Sequence, residues 1–567
     1  DSDNPSVNKK RNMTGISEHR RNEKRRLIWL SVNSSYSHSS LALPLLHAAC
    51  RKIPGWEWSP LETTVADEPS EVAAHLNALQ GCMLCTTLYL FNRNTVTEIL
   101  ERFHALNPAC HIAVGGPECL GGGAEHLIAR YPFIHTVFRG ESEGLFPDFL
   151  NRFPSQGTTQ IIPEKGNAVY EKWEAAPPPV EDDFFRTDKP FVQMETSRGC
   201  PMGCLYCTSG RTKLRFKSPD AVAEELAALQ RRGIREVRLL DRTFNYPQER
   251  GIELLRLFRN NFPEMRFHLE IHPQFLNAGL RKELEAALPG QLHIEAGIQC
   301  LAGSVQNAIG RRSRPEDALD GLRFLCSCPN FETHADLLAG LPEQSPDHLF
   351  HDVSCLMEAG TAEIQLEVLK VLPGTPLRAQ AGSLGLIFAP EPPYDVMQTN
   401  TMSTEDILLA RKLSRLLDLT YNHPALRPVL RTIHAERPDF LPDFLQFFLS
   451  NGLDLKRLYD LKKRFLLLLD FLSGGNYKTA AEELAFQWIR SGYPPESGPG
   501  MTAVKTGKPP ETAVLLEGDP ASAKERETKY WLLPGRKATF YFAFHRKYAI
   551  NRPAAVWKQE VTTPFAE

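Results

Sequence analysis

The chain has 567 residues, of which 42% are hydrophobic, and a formal net charge of −3 at pH 7. That length predicts about three domains, and the composition is that of a protein with buried cores rather than of a disordered chain. A charge so close to zero gives no reason to expect nucleic acid as a partner, and no apolar run approaches the roughly 18 residues of a membrane-spanning helix.

The N-terminus, residues 1–26, is polar and basic and lacks the apolar core of a signal peptide. Charge runs of this kind serve solubility more often than RNA binding. We therefore predict a disordered tail.

Twelve cysteines are spread along the chain, and in a protein of this size they do not indicate a disulfide framework. Cys82 and Cys85 could form a metal or redox pair, but a strand would place them on opposite faces. We predict core cysteines there, and likewise at Cys326 and Cys328. Free thiols fit a reducing cytoplasm, where we expect the protein to lie.

Residues 27–153 alternate short apolar strands with segments of helical spacing, such as 95–105. The predicted strands are 27–32, 61–65, 83–87, 112–114 and 134–138. This alternation predicts a doubly wound, Rossmann-like α/β domain, in which ligands bind beyond the carboxyl ends of the parallel strands. Residues that suit close approach or hydrogen bonding follow those strands: Ser37, His38, Ser39, Thr86, Thr87, Gly115, Gly116, Pro117, Glu118, Gly140 and Glu141.

Residues 154–190 are predicted to be a linker. The three prolines at 177–179 favour a stiff, extended chain, and the acidic run at 181–183 is expected to be solvated. The chain then enters a second region of strand–helix alternation.

That region, residues 191–388, has a longer pitch. The predicted strands are 192–197, 236–240, 266–271, 293–299, 333–338 and 363–371, and the helices include 219–232 and 346–359. Six such units predict a partial (β/α)6 barrel of the TIM type, whose active site lies at the strand carboxyl ends. The side chains predicted at those ends are Asp241, Glu270, His272, Gln299 and Leu341.

Three cysteines follow the first barrel strand: Cys200, Cys204 and Cys207, spaced C-x3-C-x2-C. Structural zinc takes four ligands, and a [4Fe-4S] cluster held only by protein takes four cysteines. Three thiolates on one short loop therefore favour a [4Fe-4S] cluster with one iron left open. A zinc loop that borrows a distant fourth ligand is the alternative.

This spacing, with the aromatic Tyr206 before the last cysteine, resembles that of the radical S-adenosylmethionine (SAM) enzymes. The resemblance implies that SAM binds the open iron and is cleaved reductively to a 5′-deoxyadenosyl radical. It implies that Asp241 lies near the methionine amine of SAM. It also implies that further residues bind SAM: Tyr206, Glu270, Gln299 and Leu341. His272 and His293 are expected to be structural.

Two runs of the N-terminal region, residues 113–118 and 138–144, resemble the cobalamin-binding domain fused to one large radical SAM subclass. The opening at 33–43 is similar to members that also carry a C-terminal domain of unknown function. The resemblance implies cobalamin as a third cofactor. The sequence has no D-x-H-x-x-G motif, so we predict that no histidine binds the cobalt. A Rossmann-like domain that binds nothing is the alternative.

Residues 389–493 are predicted to form a helical domain. A capping signature at 403–406 opens it, and helical spacing covers 407–419, 440–449 and 453–472. Residues 494–527 are rich in Pro, Gly, Lys and Glu and are predicted to be a flexible linker. Residues 528–567 contain strand-like pieces and are predicted to be a small β appendage.

The resemblance implies a cobalamin-dependent radical SAM enzyme that methylates an unactivated carbon. We expect a one-electron reductant of the flavodoxin or ferredoxin type as partner, and no membrane. One alternative is a radical SAM rearrangement or cyclisation. Another is a tRNA methylthiotransferase-like reaction, which needs a second cluster for which Cys50, Cys82 and Cys85 are poorly placed. A non-catalytic sensor of cobalamin or SAM is the third.

Overall fold

The computed structural model describes residues 24–153, 159–210, 212–495, 497–519, 528–544 and 552–561. Most of the tail predicted to be disordered, residues 1–23, lies outside the described residues. The predicted boundary of the tail at residue 26 is wrong, because the first strand already begins at Arg25. Its guanidinium stacks on the Trp56 ring at 4.4 Å and thereby packs the basic residue against the sheet.

A six-stranded parallel sheet, ordered β2-β1-β3-β4-β5-β6, forms the N-terminal domain. Its elements are β1 (Arg25–Asn33), α1 (Ala42–Cys50), β2 (Trp56–Thr64), α2 (Pro69–Ala78), β3 (Met83–Thr87), α3 (Arg93–Leu106), β4 (His111–Gly115), α4 (Gly123–Arg130), β5 (Thr136–Phe138), α5 (Phe146–Arg152) and β6 (Gln160–Ile162). Ile28 and Leu30 pack on one face with α2, α3 and α4, whereas Leu27 and Trp29 pack on the other with α1 and α5. The doubly wound prediction is confirmed.

The segment predicted to be a linker is partly folded into this domain. Its residues 160–162 pair with β5 as the sixth strand. Asp182 is 0% exposed, because His47 and Arg51 bond its carboxylate at 2.8 and 3.1 Å. The prediction that the acidic run is solvated is therefore wrong for Asp182, which fastens the linker to the end of α1.

A second parallel sheet, ordered β14-β13-β12-β11-β10-β7, forms an open barrel. Its region contains β7 (Val192–Met194), β8 (Ser197–Arg198), β9 (Arg215–Phe216), α6 (Pro219–Arg231), β10 (Glu236–Leu239), α7 (Gln248–Asn261), β11 (Arg266–Ile271), α8 (Ala278–Glu285), β12 (Leu292–Gln299), α9 (Gly303–Ala308), α10 (Pro315–Ser327), β13 (Glu332–Ala339), α11 (Pro346–Ala359) and β14 (Glu363–Val368). Alternate side chains of the sheet pack against the helices in one apolar core, and the others face the barrel interior. The partial barrel is confirmed.

The C-terminal region adds α12 (Pro376–Gln380), β15 (Ile387–Phe388), β16 (Val396–Gln398), α13 (Thr404–Leu419), α14 (Arg427–Glu436), α15 (Leu441–Ser450), α16 (Leu461–Ser473) and α17 (Lys478–Arg490). Ser403 caps α13 as predicted: its Oγ accepts from the Asp406 amide at 3.2 Å, and Asp406 accepts from the Ser403 amide at 2.8 Å. These helices share one apolar core with the barrel. Within the described ranges, no helix combines the length and apolar character needed to cross a membrane.

The last described residues form a five-stranded antiparallel sheet, ordered β17-β19-β20-β21-β18. Its strands are β17 (Val504–Thr506), β18 (Val514–Gly518), β19 (Lys529–Leu533), β20 (Ala538–Phe544) and β21 (Ala555–Glu560). A β appendage is therefore present. The flexible-linker prediction is wrong for β17 and β18, whose largely exposed side chains do not mark them as strands in the sequence.

Candidate active site

The three cysteines lie on one loop, which β8 and β9 close at its base. Gly199 has a φ of +94°, and a Cβ there would lie 2.5 Å from a backbone oxygen of the returning chain, so only glycine fits. The Cys207 amide donates to the Cys204 carbonyl at 3.3 Å, and Cys200 Sγ lies 3.5 Å from Thr243 Oγ1. Cys204 is buried and the other two cysteines are half-buried. The loop therefore gathers three free thiols.

The three thiols fit the cluster that the sequence predicts. Within the described residues, no three His, Cys, Asp or Glu side chains converge as ligands of one metal ion. A [4Fe-4S] cluster does not require such convergence, because each cysteine binds a different iron. Burial raises the pKa of the Cys207 thiol, so we expect this ligand to lose its proton as the metal binds.

Asp241 follows the second barrel strand, as predicted, but it is 0% exposed. Its carboxylate accepts from the amides of Thr196 at 2.7 Å and Ser197 at 2.9 Å, and Arg250 Nη1 lies 3.8 Å away. These contacts fix the chain that leads into the cysteine loop. The contact of Asp241 with the SAM amine stays a prediction, whereas its support of the loop is visible.

The other strand-end residues expected to bind SAM differ in accessibility. Glu270 is partly exposed, 3.5 Å from Arg242, and burial raises the pKa of its carboxyl. Gln299 has a φ of +70° at an irregularity between β12 and β13. Leu341 is buried, and Tyr206 is half-buried against the barrel core. Their contacts with SAM stay predictions.

Arg311, which the sequence analysis does not single out, lies beside the cysteine loop. Its Nη1 is 3.8 Å from Cys204 Sγ, and its Nη2 donates to His272 Nε2 at 3.0 Å. Burial, and then the Arg311 charge, lowers the pKa of His272 to about 3, so this imidazole is neutral and accepts. Arg311 is buried, its Nε has no partner, and no carboxylate of the described chain forms an ion pair with it. A buried guanidinium without a counter-charge is costly, so the geometry favours an anion here.

A cleft of about 870 Å³ lies between the strand ends of the N-terminal sheet and the cysteine loop. Its N-terminal wall contains most of the residues predicted to bind cobalamin: His38, Ser39, Thr86, Thr87, Gly115, Gly116, Pro117, Gly140 and Glu141. Its opposite wall comes from the barrel and includes Gly199, Thr208 and Ser209. One cleft therefore joins the two regions to which the sequence assigns cofactors.

Gly115, Gly116 and Gly140 lie in the N-terminal wall of the cleft. Gly116 has a φ of +101°, and a Cβ there would lie 2.6 Å from the Leu88 carbonyl oxygen. Gly140 has a φ of +93°, and a Cβ there would lie 2.5 Å from the Ala168 backbone. The protein's own turns therefore require both glycines. At Gly115 a Cβ meets nothing closer than 3.6 Å, so the backbone itself tolerates a side chain there.

Ser37 and Glu118, although predicted to bind the cofactor, do not line the cleft. Glu118 lies in the turn Pro117–Cys119, 3.2 Å from Arg93, and it accepts from the Tyr394 hydroxyl at 2.8 Å. Burial raises the pKa of its carboxyl. The contact of Glu118 with a cofactor stays a prediction, whereas its role in joining the N-terminal domain to the segment after the barrel is visible.

An ion-pair network crosses the floor of the cleft. Arg198 Nη2 lies 2.7 Å from both Glu143 and Glu195, and its Nη1 lies 3.2 Å from Glu141. Glu141 also accepts from Arg215 Nη1 at 2.9 Å. The network links the strand-end loop of the N-terminal sheet to the residue two positions before Cys200. Sequence reasoning missed both arginines, because their partners, apart from Glu195, are distant in the chain.

Two histidines are near enough to the cleft to consider as cobalt ligands. His38 lines it, with Nδ1 2.9 Å from Ser35 Oγ, and burial lowers the pKa of His38. His47 does not line it, and its Nδ1 is 2.8 Å from Asp182. The absence of a histidine on cobalt therefore stays a prediction, and His38 is the residue that tests it.

Comparison with protein families identifies two regions of the chain. Residues 194–354 match the Radical SAM superfamily, and residues 383–502 match a protein family of unknown function, DUF4080. The first match coincides with most of the barrel, and the second begins just before the C-terminal helices. The chain therefore contains a radical SAM domain.

Curated relatives share 22–25% identity with the chain. The uncharacterized methyltransferase PH0819 of Pyrococcus horikoshii is 23% identical over 374 residues, 60% of this chain and 78% of that protein. A tRNA-2-methylthio-N(6)-dimethylallyladenosine synthase of Clostridium tetani is 25% identical over 262 residues, 44% of this chain and 55% of that protein. The 2-(S-pantetheinyl)-carbapenam-3-carboxylate methyltransferase of Streptantibioticus cattleyicolor is 22% identical, covering 57% and 54%. The chain spans little more than half of the last two relatives.

Two solved structures share the fold. TsrM of Kitasatospora setae, a radical SAM methyltransferase solved with tryptophan and a SAM analogue, aligns with a TM-score of 0.53 over 65% of this chain and 80% of its own. OxsB, a cobalamin-dependent radical SAM enzyme solved with aqua-cobalamin and SAM, aligns with a TM-score of 0.55 over 83% and 79%. Identity is 16% in both cases, so the likeness shows a shared fold alone.

Proposed function

We propose that this chain, which contains a radical SAM domain, is a cobalamin-dependent enzyme that methylates a carbon atom of its substrate. The observation that carries the proposal is the shared cleft, in which the cysteine loop faces the N-terminal loops predicted to bind cobalamin. When bound, the cluster and SAM supply a 5′-deoxyadenosyl radical, and cobalamin supplies a methyl group.

The residues around the cysteine loop fit a cluster with SAM. Cys200, Cys204 and Cys207 supply three thiolates, and Arg311 offers a guanidinium whose Nε lacks a partner. The carboxylate of SAM, or the negative charge of the thiolates, would supply the counter-charge. Asp241 would act indirectly, because it fixes the backbone of Thr196 and Ser197.

The N-terminal wall fits a large, flat cofactor. Gly115 leaves room where a side chain would fill the cleft, and Thr86 and Thr87 end their strand at the same wall. The Arg198 network then holds this wall and the cysteine loop together, so that the two cofactors would lie next to each other.

Reductive cleavage of SAM consumes one electron, so we also propose a reductant of the flavodoxin or ferredoxin type. A rearrangement or cyclisation would use the same cleft and would differ in the mass of its product. The methylthiotransferase-like reaction would need a second cluster. Cys50, Cys85 and Cys110 are buried among the apolar side chains of the N-terminal domain, as core cysteines are.

The test is anaerobic incubation of reconstituted, cobalamin-loaded protein with a reductant, a metabolite extract and SAM deuterated in its methyl group. We expect 5′-deoxyadenosine and a product that carries a trideuteriomethyl group. The formation of 5′-deoxyadenosine without deuterium in any product would overturn methyl transfer. The absence of 5′-deoxyadenosine would overturn the radical SAM activity itself.

A further inference from the structure

Two loops of the N-terminal wall are joined to each other. The first, residues 88–92, and the second, residues 116–120, both contribute residues to the lining of the cleft. We call them the two cleft loops. The Glu118 amide donates to the Leu88 carbonyl at 3.2 Å, so the second loop is bonded directly to the first.

A buried ion pair also connects the two cleft loops. Arg93, which begins α3 directly after the first loop, donates its amide to the Tyr89 carbonyl at 2.9 Å. Its Nη1 lies 3.2 Å from Glu118 Oε2, and the two side chains are only 3% and 2% exposed. The position of each loop therefore depends on a contact that lies outside the cleft itself.

Tyr394 joins this ion pair from a distant part of the chain, within the region that matches DUF4080. Its hydroxyl donates to Glu118 Oε2 at 2.8 Å and accepts from Arg93 Nη1, and its ring centroid lies 4.8 Å from Arg378 Cζ. Tyr394 is 1% exposed and has a φ of +59°. A non-glycine residue keeps this strained conformation only where its surroundings fix it, so the contact is closely defined.

The barrel holds the backbone on both sides of this tyrosine ring. The Tyr394 carbonyl accepts from the Val371 amide at 2.9 Å, and the Val396 amide donates to the Leu369 carbonyl at 2.9 Å. Both of these partners directly follow β14, the last strand of the barrel sheet. Tyr394 is therefore anchored on the barrel and contacts the N-terminal domain through its side chain.

We propose that Tyr394 is a positioning residue, which fixes the two cleft loops through Glu118 and so determines how tightly the cleft holds cobalamin. The inference rests on the proposed function, because it concerns the affinity for a cofactor of that reaction. Tyr394 does not line the cleft, so it acts through the loops and not by touching the cofactor. The proposal gives the DUF4080 region a part in cofactor binding.

The first test is a titration of the reconstituted full-length protein with hydroxocobalamin, followed in the visible spectrum. Tyr394→Phe keeps the ring and removes the hydroxyl. We expect this variant to bind cobalamin about fivefold to tenfold more weakly, because a buried carboxylate loses one of its hydrogen bonds. Its iron content should stay at the wild-type level, because the cysteine loop is unchanged.

Tyr421→Phe is the matched control. Tyr421 is a second buried tyrosine of the DUF4080 region, and its hydroxyl donates to the Thr361 carbonyl at 2.7 Å, away from the cleft. This variant also loses a buried hydrogen bond, so it should lower the thermal midpoint but leave the affinity for cobalamin unchanged. An equal loss of cobalamin affinity in both variants would indicate general destabilisation and would overturn the proposal.

Glu118→Met tests whether Tyr394 acts through Glu118, because it removes the acceptor and keeps the length of the side chain. If the two residues act as one unit, adding Tyr394→Phe to this variant should weaken cobalamin binding by no more than about twofold further. An additional loss as large as that of Tyr394→Phe alone would overturn the proposed route.

Hydrogen exchange detected by mass spectrometry tests the positioning without cobalamin. The amides of both cleft loops should exchange faster in Tyr394→Phe than in the wild type, whereas those of residues 200–207 should not change. Unchanged exchange in the cleft loops, or wild-type affinity of Tyr394→Phe for cobalamin, would overturn this inference alone. A wild-type protein that binds no cobalamin would contradict the proposed function and this inference with it.

Discussion

The molecule contains two six-stranded parallel sheets that are covered differently. Both faces of the N-terminal sheet carry apolar cores, beneath α2–α4 on one side and beneath α1 and α5 on the other. The barrel sheet is covered on its outer face only, and its inner face is polar. A sheet covered on both faces can offer a ligand only its edge, whereas an open barrel offers an edge and a surface.

This difference suggests which cofactor each sheet would hold. Under the proposed function, the edge of the N-terminal sheet would hold cobalamin across several loops, and the barrel would hold the cluster at its edge. The two edges meet at one cleft, and the Arg198 network joins them across its floor. Variants that disable one sheet should therefore spare the ligand of the other.

The largest effect is expected for simultaneous replacement of Cys200, Cys204 and Cys207 by Ala. The barrel should lose its cluster and all 5′-deoxyadenosine formation, because no thiolate remains on the loop. The N-terminal sheet should still retain cobalamin. Iron and sulfide analysis, chromatography of the reaction and the visible spectrum check these outcomes. Retention of a full [4Fe-4S] signal would mean that other residues hold the cluster, whereas Cys85→Ala should leave it intact.

The reverse effect is expected for Gly115→Trp. The indole should occupy the cleft and expel cobalamin, while iron content stays at the wild-type level. Gly115→Ala is the control, because its Cβ has room at 3.6 Å. Gly116 is less suitable, since its φ of +101° makes any side chain a folding problem. Cobalamin bound by Gly115→Trp as by the wild type would remove the cofactor from this wall.

A smaller effect is expected for Arg311→Gln, which removes the buried charge beside Cys204. A charge-assisted hydrogen bond is worth about 1.5–3 kcal/mol, so SAM should bind about tenfold more weakly or worse. Arg311→Lys should recover part of the affinity. Glu270→Gln tests its predicted SAM contact in the same binding assay. Unchanged affinity in Arg311→Gln would show that the guanidinium serves the fold alone.

The smallest effect concerns pH and the network between the sheets. Burial raises the pKa of Glu141, but hydrogen bonding from Arg215 and the charges of Arg198 and Arg215 outweigh burial. The pKa of Glu141 therefore lies below its ordinary 4.5. A depressed carboxyl pKa stabilises the folded state above the unfolded value and ceases to do so as pH falls through the folded value. The thermal midpoint of the wild type should therefore exceed that of Glu141→Gln at neutral pH, and the gap should close below pH 4.5. A constant gap would exclude this contribution.

Much of the fold could be predicted because its elements have clear apolar periodicity and clear ends. Strand 83–87, strand 266–271 and helix 346–359 agree with the structure residue for residue. The sixth strand of the N-terminal sheet and β18 could not be predicted, because they are short or exposed and owe their conformation to pairing with distant strands.

The candidate site divides in the same way. The cysteine loop could be recognised because all three predicted cluster ligands lie within one short stretch. The contacts of Arg198 with Glu141 and Glu143, and that of Arg311 with His272, could not, because these residues come together only when the strand ends converge. Glu118 was predicted from its neighbours in sequence, but the turn at Pro117–Cys119 directs it to Arg93 and Tyr394.

The measurement that tests the central claim most directly is pulsed electron paramagnetic resonance of the cobalamin-loaded, reconstituted protein. We expect cob(II)alamin to relax faster when the cluster is reduced, because the cleft would hold the two centres side by side. We also expect no nitrogen splitting that is lost in His38→Ala, since no histidine is predicted to bind the cobalt. The account would be contradicted if the protein retained no cobalamin. It would also be contradicted if the relaxation rate of cob(II)alamin did not change when the cluster is reduced.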